Sequence, residues 1–541
     1  MMTFNWTNPY LSTRAPIFAR NIVSTSHPLA AQAGLRILQQ GGNAVDATIA
    51  AAAVMTIVEP VSNGLGSDCF ALVWDGQSLQ GLNASGSAPQ AWDLNYFNQK
   101  YTPGTRPKRG FDTVTIPGMV KGWSLLHERF GRLPWQDLFS SAIDIAKRGF
   151  MVTPVVAKKW QLAVPELHNQ PGFKEHFMPF GRAPQTGERF TIPSIAKTLD
   201  LIAKEGADCF YQGEIAQHIA RFAREHGGAM TLDDLSNYSA LWVEPIHTSY
   251  EGYEVHEIPP NGQGIAALMA LGILKHCPIK DYAVDSVESL HLQIEAMKLA
   301  FFDVYQHVAD PSSMTVSVEQ LLDENYLKER AKLISLDKAS TLKGSVPALG
   351  GTIYLTVADE QGMMVSFIQS NYMGFGSGVV VDKYGISLQN RGYGFSLNKH
   401  SPNVVVPGKR PFHTIIPGFV TRQNEQGDTE PVMSFGVMGG DMQPQGHVQT
   451  LVRMLNYKQQ PQTACDAPRW KVNRDFSLDF ESSMTPSTIQ SLINKGHHQQ
   501  PLFDPYMDFG AGQFIWRLSN NPDDGYVAAS DPRRDGQAVG F

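Results

Sequence analysis

The stretch Gly350-Gly351-Thr352-Ile353-Tyr354-Leu355-Thr356-Val357-Ala358-Asp359 places a hydroxyl residue directly after two glycines, at the start of a run rich in β-branched residues. The alternating side-chain character of this run predicts a strand that begins near Thr352. If the chain were cut before Thr352, that residue would carry both a nucleophilic hydroxyl and a free α-amine able to act as its base. By spacing alone, a turn that enters a sheet is the commoner explanation.

The segment before this strand has the composition of an exposed linker. Residues 338–351 contain two serines, two lysines, one proline and three glycines. Chains are cut most readily in exposed segments of this kind, and Gly351 places no side chain beside the attacked carbonyl. This composition suits a cut between Gly351 and Thr352, which would divide the chain into residues 1–351 and residues 352–541.

Short motifs along the rest of the chain form a recognisable series. They run from Ser26-His27-Pro28 through Gly41-Gly42-Asn43-Ala44, Gly64-Leu65-Gly66-Ser67-Asp68 and Pro259-Pro260-Asn261-Gly262 to Lys409-Arg410-Pro411, Met438-Gly439-Gly440-Asp441 and Ser530-Asp531-Pro532-Arg533. Together with residues 352–378 and in this order, they resemble the γ-glutamyltransferase family of N-terminal nucleophile hydrolases. The resemblance covers nearly the whole sequence.

The resemblance implies a fold and a set of catalytic residues. A cut before Thr352 would give a large subunit of residues 1–351 and a small subunit of residues 352–541. The fold is α+β, with four layers in the order αββα built from both processed subunits. Thr352 would be the nucleophile, and Ser370 would support it through hydrogen bonding. Gly439 and Gly440 would form the oxyanion hole, because backbone N–H groups can approach an oxyanion closely where no Cβ intervenes. Read in isolation, this Gly-Gly pair is an ordinary turn after a strand at residues 432–437.

Other positions depart from the family pattern. The arginine that grips the substrate's α-carboxylate is replaced by Ser85, and the aspartate that binds its α-amino group by Gly394. His413 and Thr414 stand where two consecutive serines are usual and are candidate substrate-binding residues. His413 either donates to the substrate's carboxylate or simply fills space, since a lone histidine is more often structural. Tyr372 takes the place of a substrate-contacting asparagine, and a buried core tyrosine is an equal alternative. Arg391 is a candidate anchor for a carboxylate placed differently, or else a surface arginine in a loop.

These matches and departures predict a self-processing amidohydrolase or acyltransferase. The expected substrate is a small amide whose acyl part is dicarboxylic or oxamate-like, with water or an amine as acceptor. Since a glutamyl group with unpaired charged ends binds poorly, glutathione hydrolase or γ-glutamyltransferase activity is the alternative. A second alternative is an unprocessed small-molecule-binding protein without catalytic activity. Processed pairs could further assemble into a homo-oligomer.

Composition excludes several other classes. Charged residues make up 18% of the chain and the net charge is -7, so no basic face for nucleic acid is expected. The first residues lack a signal-peptide pattern and no apolar stretch is long enough to span a bilayer, so we expect a cytoplasmic protein without membrane contact. Four scattered cysteines are expected to be buried free thiols.

No cofactor or metal is expected. The adjacent pair His497-His498 would point to opposite sides of a strand, in a polar stretch that we expect at the surface. Hydrophobic spacing predicts helices over residues 29–40 and 286–305 and an entirely buried helix over residues 47–58, capped by Asn43.

Overall fold

The computed structural model describes residues 14–342, 351–500 and 508–541. Two seven-stranded antiparallel sheets form its centre. In spatial order, sheet I consists of Gln537–Gly540, Ile22–Thr25, Gly351–Ala358, Met364–Tyr372, Asp68–Trp74, Leu79–Ala84 and Leu241–Val243. Sheet II consists of Ile17–Ala19, Tyr526–Ser530, Ala511–Arg517, Thr429–Met438, Gly418–Gln423, Tyr253–Glu257 and Ile246–Tyr250.

Helices cover the outer face of each sheet. Against sheet I lie helices that include Pro28–Gln39, Ala44–Val58, Met119–Phe130, Ser140–Arg148, Pro154–Leu167, Pro193–Glu205 and Glu214–Glu225. Against sheet II lie Ile265–Leu274, Val287–His307, Glu324–Ala331, Met442–Leu451, Pro461–Asp466 and Pro486–Asn494. The predicted four-layer αββα fold is therefore confirmed.

Shorter elements connect these layers. The short helices are Leu94–Lys100, Phe173–Phe177, Asp208–Tyr211, Leu232–Ser236 and Val318–Leu321. Three small ribbons pair Phe150–Met151 with Arg189–Phe190, Val380–Val381 with Ile386–Ser387, and Trp470–Val472 with Leu478–Phe480.

The alternation along Gly351–Ala358 explains how sheet I serves two cores. Ile353, Leu355 and Val357 point to the helices, whereas Tyr354 and Ala358 point to sheet II. Because side chains alternate with a period of two, Thr352 belongs to the face that meets sheet II. The Thr356 and Ser434 hydroxyls lie 2.5 Å apart between the sheets.

The helix predictions agree with the structure. The helix predicted from residue 29 spans Pro28–Gln39, and Asn43 forms a capping box with Asp46 at the start of Ala44–Val58, in which every residue is buried. The helix predicted over residues 286–305 spans Val287–His307, with Ser286 as its N-cap. Among the described residues, no helix has the length and hydrophobicity required to cross a bilayer.

The predicted cut would divide both sheets between two fragments. In sheet I, Gly351–Ala358 lies between Ile22–Thr25 and Met364–Tyr372, so strands from either side of the cut are hydrogen-bonded neighbours. Sheet II likewise combines Tyr253–Glu257 with Gly418–Gln423. Most of the predicted linker, residues 343–350, lies outside the described residues.

Candidate active site

Thr352 lies at an irregular point of sheet I. Gly351 pairs with Tyr372 and Ile353 pairs with Gln369, so two residues of the neighbouring strand stand opposite Thr352. Such a β-bulge changes the direction of nearby side chains and is common beside active sites. Thr352 is almost fully buried, at 4% exposure.

Ser370 connects the predicted nucleophile to the predicted scissile bond. Its Oγ accepts a hydrogen bond from Thr352 Oγ1 at 3.1 Å and donates to the Gly351 carbonyl oxygen at 2.7 Å. The Tyr372 backbone N–H also donates to this hydroxyl, at 2.8 Å. The geometry therefore brings Ser370 within hydrogen-bond distance of both the Thr352 hydroxyl and the Gly351 carbonyl oxygen.

Arg391 is a buried cation beside this hydroxyl, not a surface arginine. Its Nη2 donates to Ser370 Oγ at 2.8 Å and its Nη1 to Thr414 Oγ1 at 2.7 Å, and the residue as a whole is 1% exposed. Burial lowers the pKa of Arg391 to about 10, so the guanidinium stays charged at neutral pH. Among the described residues, no carboxylate lies within ion-pair distance of it and its Nε has no hydrogen-bond partner.

Asp68 and His413 form a second buried group near Arg391. Asp68 pairs with Ser370 across neighbouring strands, and His413 Nε2 lies 3.1 Å from its Oδ2. Burial raises the pKa of Asp68 to about 7, although Arg391 opposes this shift. Burial, and to a smaller extent the positive charge of Arg391, lower the pKa of His413 well below its ordinary value. The side-chain polar contact that the structure shows for the His413 ring is thus with the Asp68 carboxyl.

Tyr372 covers the guanidinium in a strained backbone conformation. Its φ is 77°, in the left-handed region that tyrosine rarely adopts, and its ring centroid lies 4.6 Å from Arg391 Cζ. Residues held in this region concentrate at active sites and ligand clamps. The ring thus forms one wall beside the cation, in addition to filling buried space.

Gly439 and Gly440 follow the central strand of sheet II. Both have positive φ, 132° and 60°, and a Cβ on Gly439 would lie only 2.9 Å from Gly510 Cα. In the described part of the chain, no group accepts a hydrogen bond from either backbone N–H. The strand predicted at residues 432–437 spans Thr429–Met438, and its residues Ser434 and Gly436 lie against Thr356 and Tyr354 of the strand that contains Thr352.

Comparison with known proteins shows to which family this chain belongs. The sequence model described as Gamma-glutamyltranspeptidase matches residues 30–541. The chain belongs to this family. It is 35% identical to the glutathione hydrolase-like YwrD proenzyme of Bacillus subtilis, over 98% of this chain and 100% of that protein. It is also 35% identical to the oxamate amidohydrolase proenzyme of Klebsiella pneumoniae, over 95% of this chain and 97% of that protein.

A solved relative extends the similarity to the whole fold. The crystal structure of cephalosporin acylase from Bacillus halodurans superimposes with a TM-score of 0.92 and 45% sequence identity, covering 100% of this chain and 99% of that one. This chain is accordingly an amidohydrolase or transferase of the N-terminal nucleophile hydrolase class.

The resemblance implies two positions that anchor a γ-glutamyl substrate in other family members, and Ser85 and Gly394 stand at these positions here. Ser85 is fully buried, and its Oγ donates to Asn83 Oδ1 at 2.7 Å. A Cβ at Gly394 would lie 3.2 Å from the Phe412 carbonyl oxygen, so an aspartate there would require an adjustment. Neither position provides a charged group for a γ-glutamyl substrate in this γ-glutamyltranspeptidase-family chain.

The expected surface location of His497-His498 is partly wrong. Neither residue lies in a strand, and His497 is buried at 2% exposure while His498 is exposed. His497 contacts His291 through nitrogens 2.8 Å apart, because the loop after Pro486–Asn494 folds against Val287–His307. Sequence spacing could not reveal a contact between such distant residues.

This cluster is poorly suited to a metal. His291, Glu295 and His497 offer ligand atoms within 4.8 Å of one another. However, Lys298 Nζ lies 3.0 Å from both Glu295 Oε1 and His497 Nδ1 and already supplies a buried positive charge. A divalent cation would be repelled at this distance, so we assign no metal here.

Two polar groups near the site were not assigned from the sequence. In the sequence, Asp68 is only the last residue of the motif Gly64-Leu65-Gly66-Ser67-Asp68. Its position beside Ser370 depends on the register between two neighbouring strands. Arg474 forms a two-point ion pair with Asp441, which directly follows Gly440, at 2.8 and 2.9 Å. No sequence signal connects residues 441 and 474.

Proposed function

We propose that this chain is a self-processing amidohydrolase or acyltransferase whose acyl donor carries a carboxylate close to the scissile amide. The observation that supports this substrate is Arg391, a buried guanidinium without an ion-pair partner among the described residues. Buried charges are normally paired, since an isolated one loses its hydration without compensation. A substrate carboxylate would provide that partner, with Arg391 as its fork-shaped donor.

The position of Arg391 favours a short acyl donor. Hydrogen bonds of 3.1 and 2.8 Å through Ser370 keep Arg391 Nη2 within about 6 Å of Thr352 Oγ1. The attacked carbon must lie about 3 Å from that oxygen and the carboxylate about 2.8 Å from the guanidinium. An oxamate-like acyl group, or one carbon longer, fits this separation.

The proposed reaction uses Thr352 twice. In the precursor, its hydroxyl attacks the Gly351 carbonyl and water releases the new N-terminus at residue 352. In the mature enzyme, the free α-amine takes the proton from Oγ1 as it attacks the substrate amide. Gly439 and Gly440 would donate their N–H groups to the oxyanion, and water or an amine would then accept the acyl group.

The subunit assignment follows from the same bond. Residues 1–351 would form the large subunit and residues 352–541 the small one, as the proenzyme names of the relatives support. His413 would keep Asp68 in place, and Thr414 would orient Arg391. A cytoplasmic location and a homo-oligomer of processed pairs remain predictions.

The first test examines cleavage. N-terminal sequencing and intact mass of purified wild-type protein should give a fragment beginning at Thr352, whereas Thr352→Ala should remain a single chain. The conservative Thr352→Ser variant keeps the hydroxyl and should still be cut. A wild-type chain that is fully active without being cut would refute the assignment of Thr352 as the nucleophile.

The second test examines the acyl donor. Ammonia release should be compared for oxamate, malonamate and succinamate, with γ-glutamyl-p-nitroanilide and neutral acetamide as controls. The shortest dicarboxylic monoamides should give the highest kcat/KM. Faster turnover of the γ-glutamyl probe would favour γ-glutamyltransferase activity instead, and binding without turnover by an uncut chain would favour the non-catalytic alternative.

A further inference from the structure

Self-cleavage poses a proton-transfer problem that catalysis by the mature enzyme does not. Before the cut, the nitrogen of Thr352 belongs to a peptide bond, so it cannot serve as the base for the residue's own hydroxyl. Another group must take the proton from Oγ1 when this oxygen attacks Gly351. This question rests on the proposed function, because it concerns the same bond.

The Ser370 hydroxyl touches both atoms that exchange protons in that attack. It accepts from Thr352 Oγ1 at 3.1 Å and donates to the Gly351 carbonyl oxygen at 2.7 Å. A proton can therefore leave Thr352 for Ser370 while the Ser370 proton moves to the carbonyl oxygen. Such an exchange neutralises the developing oxyanion without a separate base.

More donors surround Ser370 Oγ than a neutral hydroxyl can satisfy. A serine oxygen accepts two hydrogen bonds, yet Thr352 Oγ1, the Tyr372 N–H and Arg391 Nη2 all point to it, the last two at 2.8 Å. An oxygen that has given up its proton has room for all three donors. The surroundings of Ser370 thus suit the moment at which it carries negative charge.

Arg391 supplies the only formal charge among these three donors. Thr414 Oγ1 holds its other terminal nitrogen at 2.7 Å, and the Tyr372 ring lies against its face. Hydrogen bonds from a cation are stronger than those from neutral groups, and burial increases the attraction between the guanidinium and a developing alkoxide. Arg391 can therefore make Ser370 a better proton donor to the Gly351 carbonyl.

We infer that Arg391 is a positioning residue for self-cleavage, acting through Ser370. In this step the Thr352 Oγ1–Gly351 C bond forms while the two protons shift through Ser370. The Gly351 C–Thr352 N bond then breaks, and the proton on the former carbonyl oxygen passes to the departing nitrogen. Water hydrolyses the resulting ester, which leaves a carboxylate on Gly351 and restores the Thr352 hydroxyl.

The test measures the rate of self-cleavage in freshly translated full-length protein, followed by gel electrophoresis over time. Arg391→Met should slow cleavage roughly tenfold to a hundredfold, whereas Arg391→Lys, which keeps a cation, should stay within about fivefold of wild type. Arg148→Met is the matched control, because the Arg148 side chain is 80% exposed, and it should cleave at the wild-type rate.

Each outcome bears on a different statement. Cleavage of Arg391→Met at the wild-type rate overturns the role of Arg391 and leaves the proposed function intact. If circular dichroism shows that Arg391→Met does not fold, the Arg391→Lys variant provides the test instead. Slow cleavage by folded Arg391→Lys protein would also overturn the inference. A wild-type chain that never yields an N-terminus at Thr352 instead refutes the proposed function.

Discussion

Replacing Asp68 by asparagine should weaken the pH dependence of both the unfolding free energy and the KM for an anionic substrate. Asp68 is fully buried, and this burial raises the pKa of its carboxyl from 3.8 to about 7, while Arg391 and the N–H groups of Gly86 and Gly118 limit the shift. Asparagine has nearly the same shape but does not titrate. The two proteins therefore differ in one ionisation beside the proposed carboxylate pocket.

The sign of the stability effect follows from where the proton is bound. Between about pH 4 and pH 7, folded Asp68 holds a proton that the unfolded chain has released, so this residue's contribution to stability falls as pH rises through that range. The difference between the folded and unfolded pKa values, at about 1.36 kcal/mol for each pH unit, sets the total at about 4 kcal/mol. Asp68→Asn should therefore gain up to this amount relative to wild type between pH 4 and pH 8.

Substrate binding should show the same ionisation. Above pH 7 the Asp68 carboxylate would repel an anionic acyl donor. For charges separated by roughly 8 Å at an effective dielectric constant of about 20, this repulsion would cost about 2 kcal/mol, or about thirtyfold in KM. His413 does not compensate, because its lowered pKa keeps it neutral. The KM for a dicarboxylic monoamide should rise between pH 6 and pH 8.5 in wild type and stay nearly constant in Asp68→Asn.

Two measurements check this reasoning. Urea midpoints at several pH values should be compared for chains with and without the Asp68→Asn substitution, each also carrying Thr352→Ala so that subunit dissociation does not contribute. The KM profile should then be measured with the mature enzymes and repeated with a neutral amide, which should show no such rise. Parallel pH profiles for the two proteins, in both stability and KM, would refute the assignment of Asp68.

Two further predictions concern other parts of the fold. Gly439→Ala adds a Cβ at a φ of 132° and 2.9 Å from Gly510 Cα, which would shift the backbone N–H groups proposed to bind the oxyanion, so kcat should fall about a hundredfold to a thousandfold. Gly362→Ala is the matched control: its φ of 93° is also strained, but no atom lies near its added Cβ, so activity should be kept. Glu481→Gln weakens a buried ion pair with Arg533, whose two contacts are 2.6 Å long, and should lower the unfolding free energy by about 3 kcal/mol in urea titrations; an unchanged midpoint would contradict this.

Local features were predictable from the sequence because they depend on neighbours along the chain. The capping box of Asn43 and Asp46, the buried helix after it and the strand beginning beside Thr352 are each encoded within a few residues. The four-layer fold was predicted from the order of family motifs rather than from periodicity. Arg391 was recognised as a candidate, but the sequence left its location open between a loop surface and the site.

The sequence by itself determined that a hydroxyl residue follows two glycines at the start of a strand. Its resemblance to the family implied that Ser85 and Gly394 replace the usual γ-glutamyl anchors. Only the tertiary structure decided that the Ser370 hydroxyl contacts both Thr352 and the Gly351 carbonyl. The same holds for the hydrogen bond from the buried Arg391 guanidinium to Ser370 and for the pairing of Asp68 with Ser370. These contacts arise from strand register and from the packing of distant segments, and neither quantity is carried by local spacing along the chain.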